Sequence, residues 1–65
     1  MNPAYPRLLG DIGGTNARWA WQSAAGVPPQ DVRVLSCRDH ASPAESAAAY
    51  LAATGHAQPV WAGRL

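Results

Sequence analysis

The chain contains no lysine; its only permanent cations are five arginines. That absence excludes a Walker A loop, whose phosphate grip ends on a lysine. Cysteine is nearly absent as well. A single Cys37 excludes an internal disulfide, and without a His/Cys cluster nothing points to a structural metal. Both of the usual staples of a small domain are therefore missing from a chain of 65 residues. Charge is scarce too: charged residues make up 14%, and four acids against five arginines leave a net charge of +1. So weak and scattered a balance lacks the basic stripe of a nucleic-acid footprint, and no nucleic-acid partner is expected. No apolar run reaches the roughly 18 residues a membrane span needs. Residues Met1 to Pro6 hold two prolines and no basic stretch ahead of an apolar core, so 1–6 reads as a lead-in and not a secretory signal. A lone cysteine suits a reducing compartment, and the expected location is cytoplasmic.

What the chain does carry is concentrated in Leu8–Arg18. A short apolar run ends in an acid, turns on two glycines, and resumes on a hydroxyl and an amide. The apolar residues predict a buried strand with Asp11 at its exit. Gly13 and Gly14 lack a Cβ, so they accept the positive φ of a tight turn and let a bulky anion approach the main chain. Successive N–H groups in such a turn form a concave anion site, to which Thr15 adds a hydroxyl donor. An acid beside a phosphate cradle is repulsive unless a hard cation such as Mg2+ lies between them. The stretch thus reads as a nucleotide–metal corner. Asp-x-Gly-Gly alone is equally the composition of an ordinary hairpin turn. The three spaced glycines of a dinucleotide fingerprint are missing, and a strand is expected to follow instead of a helix.

Gly10-Asp11-Ile12-Gly13-Gly14-Thr15-Asn16-Ala17-Arg18 resembles the N-terminal phosphate motif of bacterial glucokinases, members of the actin-like/hexokinase ATPase superfamily. In that superfamily a β-hairpin turn holds the nucleotide phosphates. Sugar-kinase and repressor relatives usually continue the turn with lysine, which is absent here. The resemblance implies an α/β chain of RNase H-like (actin-like ATPase) fold, of which residues 1–65 would form the N-terminal βββαβ part of the small nucleotide-binding domain. It implies ATP-dependent phosphorylation of glucose at its 6-hydroxyl, with ATP and Mg2+ as cofactors and a homodimer left open for the complete enzyme. Carried over residue by residue, it makes Gly10, Asp11, Ile12, Gly13, Gly14, Thr15 and Asn16 the cofactor-binding stretch. Asp11 would orient Mg2+ through water, and Arg18 would be a structural ion-pair partner or a second contact. The general base and the sugar-binding acids lie further along the family's sequence, so no catalytic residue falls in this chain. An enzyme of this kind needs two domains, and the expectation is an N-terminal fragment or a truncated reading frame, inactive alone. The alternative is a non-catalytic remnant or a sugar-responsive regulator, although a regulator would carry a helix-turn-helix ahead of the motif.

Beyond the motif the pattern predicts strands at Arg7–Ile12, Asn16–Ser23 and Asp31–Cys37. Ala17, Trp19 and Trp21 share one face of the second, where two indoles bury roughly 150–250 Å2 each and are read as core. The third is apolar on both faces, as in a sheet covered on both sides. Cys37 reads as a small core residue at its end, not a reactive thiol. Ala24–Gln30 is a loop. Ser42-Pro43-Ala44-Glu45 is a capping box, opening a helix over Pro43–Thr54 that stops at Gly55. Ala47, Tyr50, Leu51 and Thr54 would line its docking face. Asp39 and His40 are adjacent but have no nucleophile nearby in sequence, so they are not read as a catalytic pair. A fourth strand is expected over Gln58–Ala62.

Overall fold

In the computed structural model, which describes residues 5–64 apart from the Trp61 side chain, the chain folds as a four-stranded sheet with one helix across it. Of the expected lead-in, residues 1–4 lie outside the described residues. Strands β1 (Arg7–Ile12), β2 (Asn16–Gln22) and β3 (Gln30–Ser36) form an antiparallel meander, and helix α1 (Pro43–Thr54) crosses to β4 (Trp61–Arg64), which pairs parallel to β1. The order is β3-β2-β1-β4. Both antiparallel pairings are local, while the parallel one requires the helical crossover. Among the described residues no helix is long and apolar enough to cross a membrane.

The capping box works as the sequence predicts. Ser42 Oγ accepts from the Glu45 amide at 3.2 Å, and Pro43 occupies the first helical position, where a missing N–H costs nothing. The Glu45 carboxylate reaches back one residue past the cap, accepting from the Ala41 amide at 3.1 Å. At the other end Gly55 adopts φ 76°, a left-handed conformation that suits glycine, and donates to Leu51 O at 2.9 Å.

Cross-strand register decides which side chains meet the helix. Leu8 faces Trp21, Gly10 faces Trp19 and Ile12 faces Ala17. Leu8, Ala17, Trp19, Trp21 and Tyr50 form the buried cluster, with Leu35, Cys37, Ala47 and Leu51 packed around it. The two tryptophans are therefore core, as their spacing predicts. Ser46, absent from the expected docking face, is buried because its hydroxyl accepts from Trp19 Nε1 at 2.9 Å. Replacing Ser46 with Ala leaves that indole N–H buried without an acceptor. The expected cost is about 1–3 kcal/mol, read as a lower urea midpoint with an unchanged slope.

The opposite face departs from the expectation of two covered sides. Leu9 and Ala20 pair there and are buried, but Val32 and Val34 on β3 remain 54% and 56% exposed. Within the described residues the single helix covers one face only. β4 also starts later than predicted, at Trp61, which pairs with Arg7 of β1; just before it the Val60 amide donates to Pro6 O at 2.9 Å.

A second feature ties β3 to the helix end. A register shift between Trp19 and Trp21 leaves Asp31 at φ 53°, which a short polar side chain tolerates. Its carbonyl accepts from Tyr50 Oη at 2.9 Å, and its carboxylate meets His56 Nε2 at 2.8 Å. The His56 ring stacks on Trp21, with centroids 4.3 Å apart. Burial, and next the Asp31 carboxylate, push the Tyr50 phenol above its ordinary 10.0, while Arg33 pulls the other way; it stays a neutral donor at pH 7.

Candidate functional site

The β1–β2 turn stands at the carboxyl end of the parallel pair β1/β4, the end at which open α/β sheets commonly receive ligands. The turn is closed by the Gly13 N–H donating to Asn16 O at 2.8 Å. That bond commits the Gly13 amide, so the donors that remain for an anion are the Gly14 and Thr15 amides and the Thr15 hydroxyl. Asn16 Nδ2 leans on Thr15 Oγ1 at 3.4 Å, an acceptor role that leaves the hydroxyl proton available.

Of the two purposes expected of these glycines, positive φ is not met. Neither Gly13 nor Gly14 takes a positive φ; among the described glycines Gly26 and Gly55 do. The turn is wide enough to be made without left-handed backbone. What the missing side chains provide is room. A Cβ at Gly14 would meet nothing within 4 Å, while one at Gly13 would touch only Asn16 O at 3.5 Å. Gly10 is tight for another reason. A Cβ there would enter the Trp19 ring, with Cε3 at 2.8 Å, so this glycine admits an indole across the strand pair. Gly10 therefore serves the core, and its backbone lies in β1 below the turn.

Two depressions flank the turn. On the β3 side, a cleft of about 530 Å3 is lined by Gly14, Thr15, Asn16, Ser36, Cys37 and Arg38. That volume lies within the usual range of small-molecule sites, roughly 300–1,000 Å3. On the β4 side, a second cleft is lined by Gly10, Asp11, Ile12, Trp19, Ala62, Gly63 and Arg64. The predicted corner is thus divided: Gly14 and Thr15 line the cleft toward β3, Asp11 the one toward β4. Asp11 lies opposite Arg18 in the ladder, yet neither makes an ion pair among the described residues, so the carboxylate is left for a ligand. Ile12 is 49% exposed beside the turn. No group of three or more His, Cys, Asp or Glu side chains fit to hold a metal occurs among the described residues. A cation here would rest on one carboxylate plus ligand oxygens and water, which is how Mg2+ binds and other hard cations less strictly do.

A short 3-10 turn, Cys37–Asp39, fastens the β3 wall to this hairpin. The Cys37 amide donates to Thr15 O at 2.8 Å, and its thiol lies 3.7 Å from Gly13 O. Cys37 is half-buried against the core, as the sequence reading expects, and also braces the turn. Asp39 and His40 are not brought together. The acid–histidine contact that does form, Asp31 with His56, escaped the sequence reading because 25 residues separate the pair. Only the prospect of a bulge opposite Trp21 could have hinted at it.

Comparison with known proteins converges on one family. The glucokinase family model matches residues 8–63. A glucokinase from Aromatoleum aromaticum is 55% identical over 47 residues, covering 72% of this chain and 14% of that protein. A glucokinase from Marinobacter nauticus is 39% identical over 55 residues, covering 85% and 17%. One from Neisseria meningitidis serogroup C is 45% identical over 51 residues, covering 78% and 15%. The chain spans between 14% and 17% of the length of these relatives. No solved structure matches it. A strand–turn–strand with free amides at its bend and an unpaired acid just before it, lying within the 56 residues (8–63) that the family model matches, leaves one assignment: the chain belongs to the glucokinase family.

Proposed function

We propose that this chain carries the ATP-phosphate corner of an enzyme that transfers a phosphoryl group from ATP to the 6-hydroxyl of glucose. The observation that carries the reading is the bend itself. Two uncommitted amides, a hydroxyl and an open Gly14 stand within four residues of an unpaired carboxylate, at the carboxyl end of β1. Family membership and the α/β meander with its crossover are compatible with an RNase H-like (actin-like ATPase) fold. In this reading residues 1–65 make up the N-terminal part of its small nucleotide-binding domain.

Phosphoryl transfer asks mainly for positioning and charge neutralisation. The Gly14 and Thr15 amides, with the Thr15 hydroxyl, would bind phosphate oxygens from one side of the bend. Asp11 would bind on the other side, orienting the cation's water shell. Mg2+ supplies, when bound, the positive charge that lets a triphosphate and a carboxylate share this corner. Asn16 fixes Thr15 Oγ1 and closes the turn, so its role is to hold these donors in place. The base that deprotonates the sugar hydroxyl is not assigned to any residue of this chain.

The test is a chimera in which residues 8–63 replace the matching stretch of the 55%-identical relative. It is expected to phosphorylate glucose with ATP. Asp11→Ala in it should lower kcat about 10–100-fold, the usual cost of losing a group that acts on a metal through its outer shell. The KM for glucose should stay within about twofold, because a change in metal orientation leaves ground-state sugar binding untouched. Unchanged kcat in the variant would remove Asp11 from the site.

A further inference from the structure

The cleft on the β3 side has a second wall that no motif marks. Ser36, Cys37 and Arg38 line it beside Gly14, Thr15 and Asn16. The wall is fixed, since the Cys37 amide donates to Thr15 O at 2.8 Å and Asn16 pairs with Ser36 in the ladder. None of these six lining residues carries a carboxylate; Asp39 follows Arg38 but does not line the cleft. Arg38 is exposed and makes no ion pair among the described residues. A permanent cation therefore lies in the same depression as the uncommitted amides, while the nearest acid of the motif, Asp11, lines the other. Such a division sorts charge. The β3 cleft has a cation and no acid, whereas Asp11 shares the β4 cleft with Arg64, so anionic oxygens are favoured toward β3.

From this the geometry points to Arg38 as a phosphate-binding residue of the nucleotide site, its guanidinium meeting the polyphosphate from the β3 side of the glycine turn. The inference rests on the phosphate reading of that turn. Guanidinium suits the task because its planar fork donates two parallel bonds to phosphate oxygens, where an ammonium acts as a point charge. Arg38 is exposed, so its replacement leaves the core cluster intact.

The full chain, titrated with Mg-ATP and followed by NMR, tests this. The Gly14 and Thr15 amides and the Arg38 Nε–H are expected to shift together and saturably. Arg38→Gln should weaken binding about tenfold, and Arg38→Lys should recover part of the loss. Arg33→Gln, a loss of equal charge on the helix side of β3, should leave affinity unchanged. If the turn amides shift with equal affinity in wild type and Arg38→Gln, the proposal is overturned and the phosphate reading of the turn stands. If the turn amides do not shift at all, that reading falls and takes this one with it. Equal weakening by Arg33→Gln would also overturn it, since the effect would then be one of net charge.

Discussion

Gly14→Val is expected to abolish nucleotide binding while leaving the fold intact. The two halves of that outcome come from separate observations. Gly14 does not sit at positive φ, so a branched L-residue is conformationally acceptable there. A Cβ at this position meets nothing within 4 Å, so it disturbs no neighbour. Yet Gly14 lines the cleft toward β3, and an isopropyl group would occupy the space that a phosphate needs to reach the Gly14 and Thr15 amides. In the chimera, displacing reacting groups by about 1 Å costs roughly 100-fold in turnover. The expected result is a loss of at least that size, with an unchanged thermal midpoint. Gly14→Ala should lie between. Wild-type kinetics in Gly14→Val would mean that phosphate does not approach this face of the turn.

Gly10→Ala should do the reverse, harming the fold before any site. The added methyl would overlap the Trp19 six-membered ring, whose Cε3 lies 2.8 Å from the ideal Cβ. Trp19 cannot step aside freely, because it is buried in the core cluster and its Nε1–H is held by Ser46. Overpacking of this kind costs about 1–3 kcal/mol, and displacing the indole adds the loss of a buried hydrogen bond. For a domain this small, whose total stability is a few kcal/mol, such a change is enough to unfold a large fraction of molecules. A urea melt of the chain checks it. In a Trp19→Leu background the same glycine change should cost much less, since the clash partner is gone; equal costs in both backgrounds would place the strain elsewhere.

These two glycines, four positions apart in one motif, show where sequence reading stops. Only the family resemblance puts both in one ligand-binding stretch. The structure gives Gly14 an open cleft and Gly10 an indole, and only the cross-strand pairing Gly10–Trp19 distinguishes them. The same holds for Gly13, whose amide is committed to Asn16 O. Local signals fared better. Ser42, Pro43, Glu45 and Gly55 mark the ends of α1 because caps act within a few residues of the backbone groups they satisfy. Ala17, Trp19 and Trp21 are core because alternation is a property of the strand itself. Ser46 is not legible as core, because a serine hydroxyl gives no sign, in sequence, that an indole 27 residues away will need an acceptor.

By its sequence alone this chain determined its first three strands to within a residue, its helix with both ends, and the family to which its bend belongs, for these depend on residue type and short-range spacing. Tertiary structure decided the rest: that Asp11 lines one cleft and Gly14 and Thr15 another, that Cys37 and Arg38 line the latter too, and that Asp31 meets His56. The reason is physical. Caps and alternation are written in neighbours a few residues apart, whereas a cleft exists only once register and crossover have placed distant segments side by side.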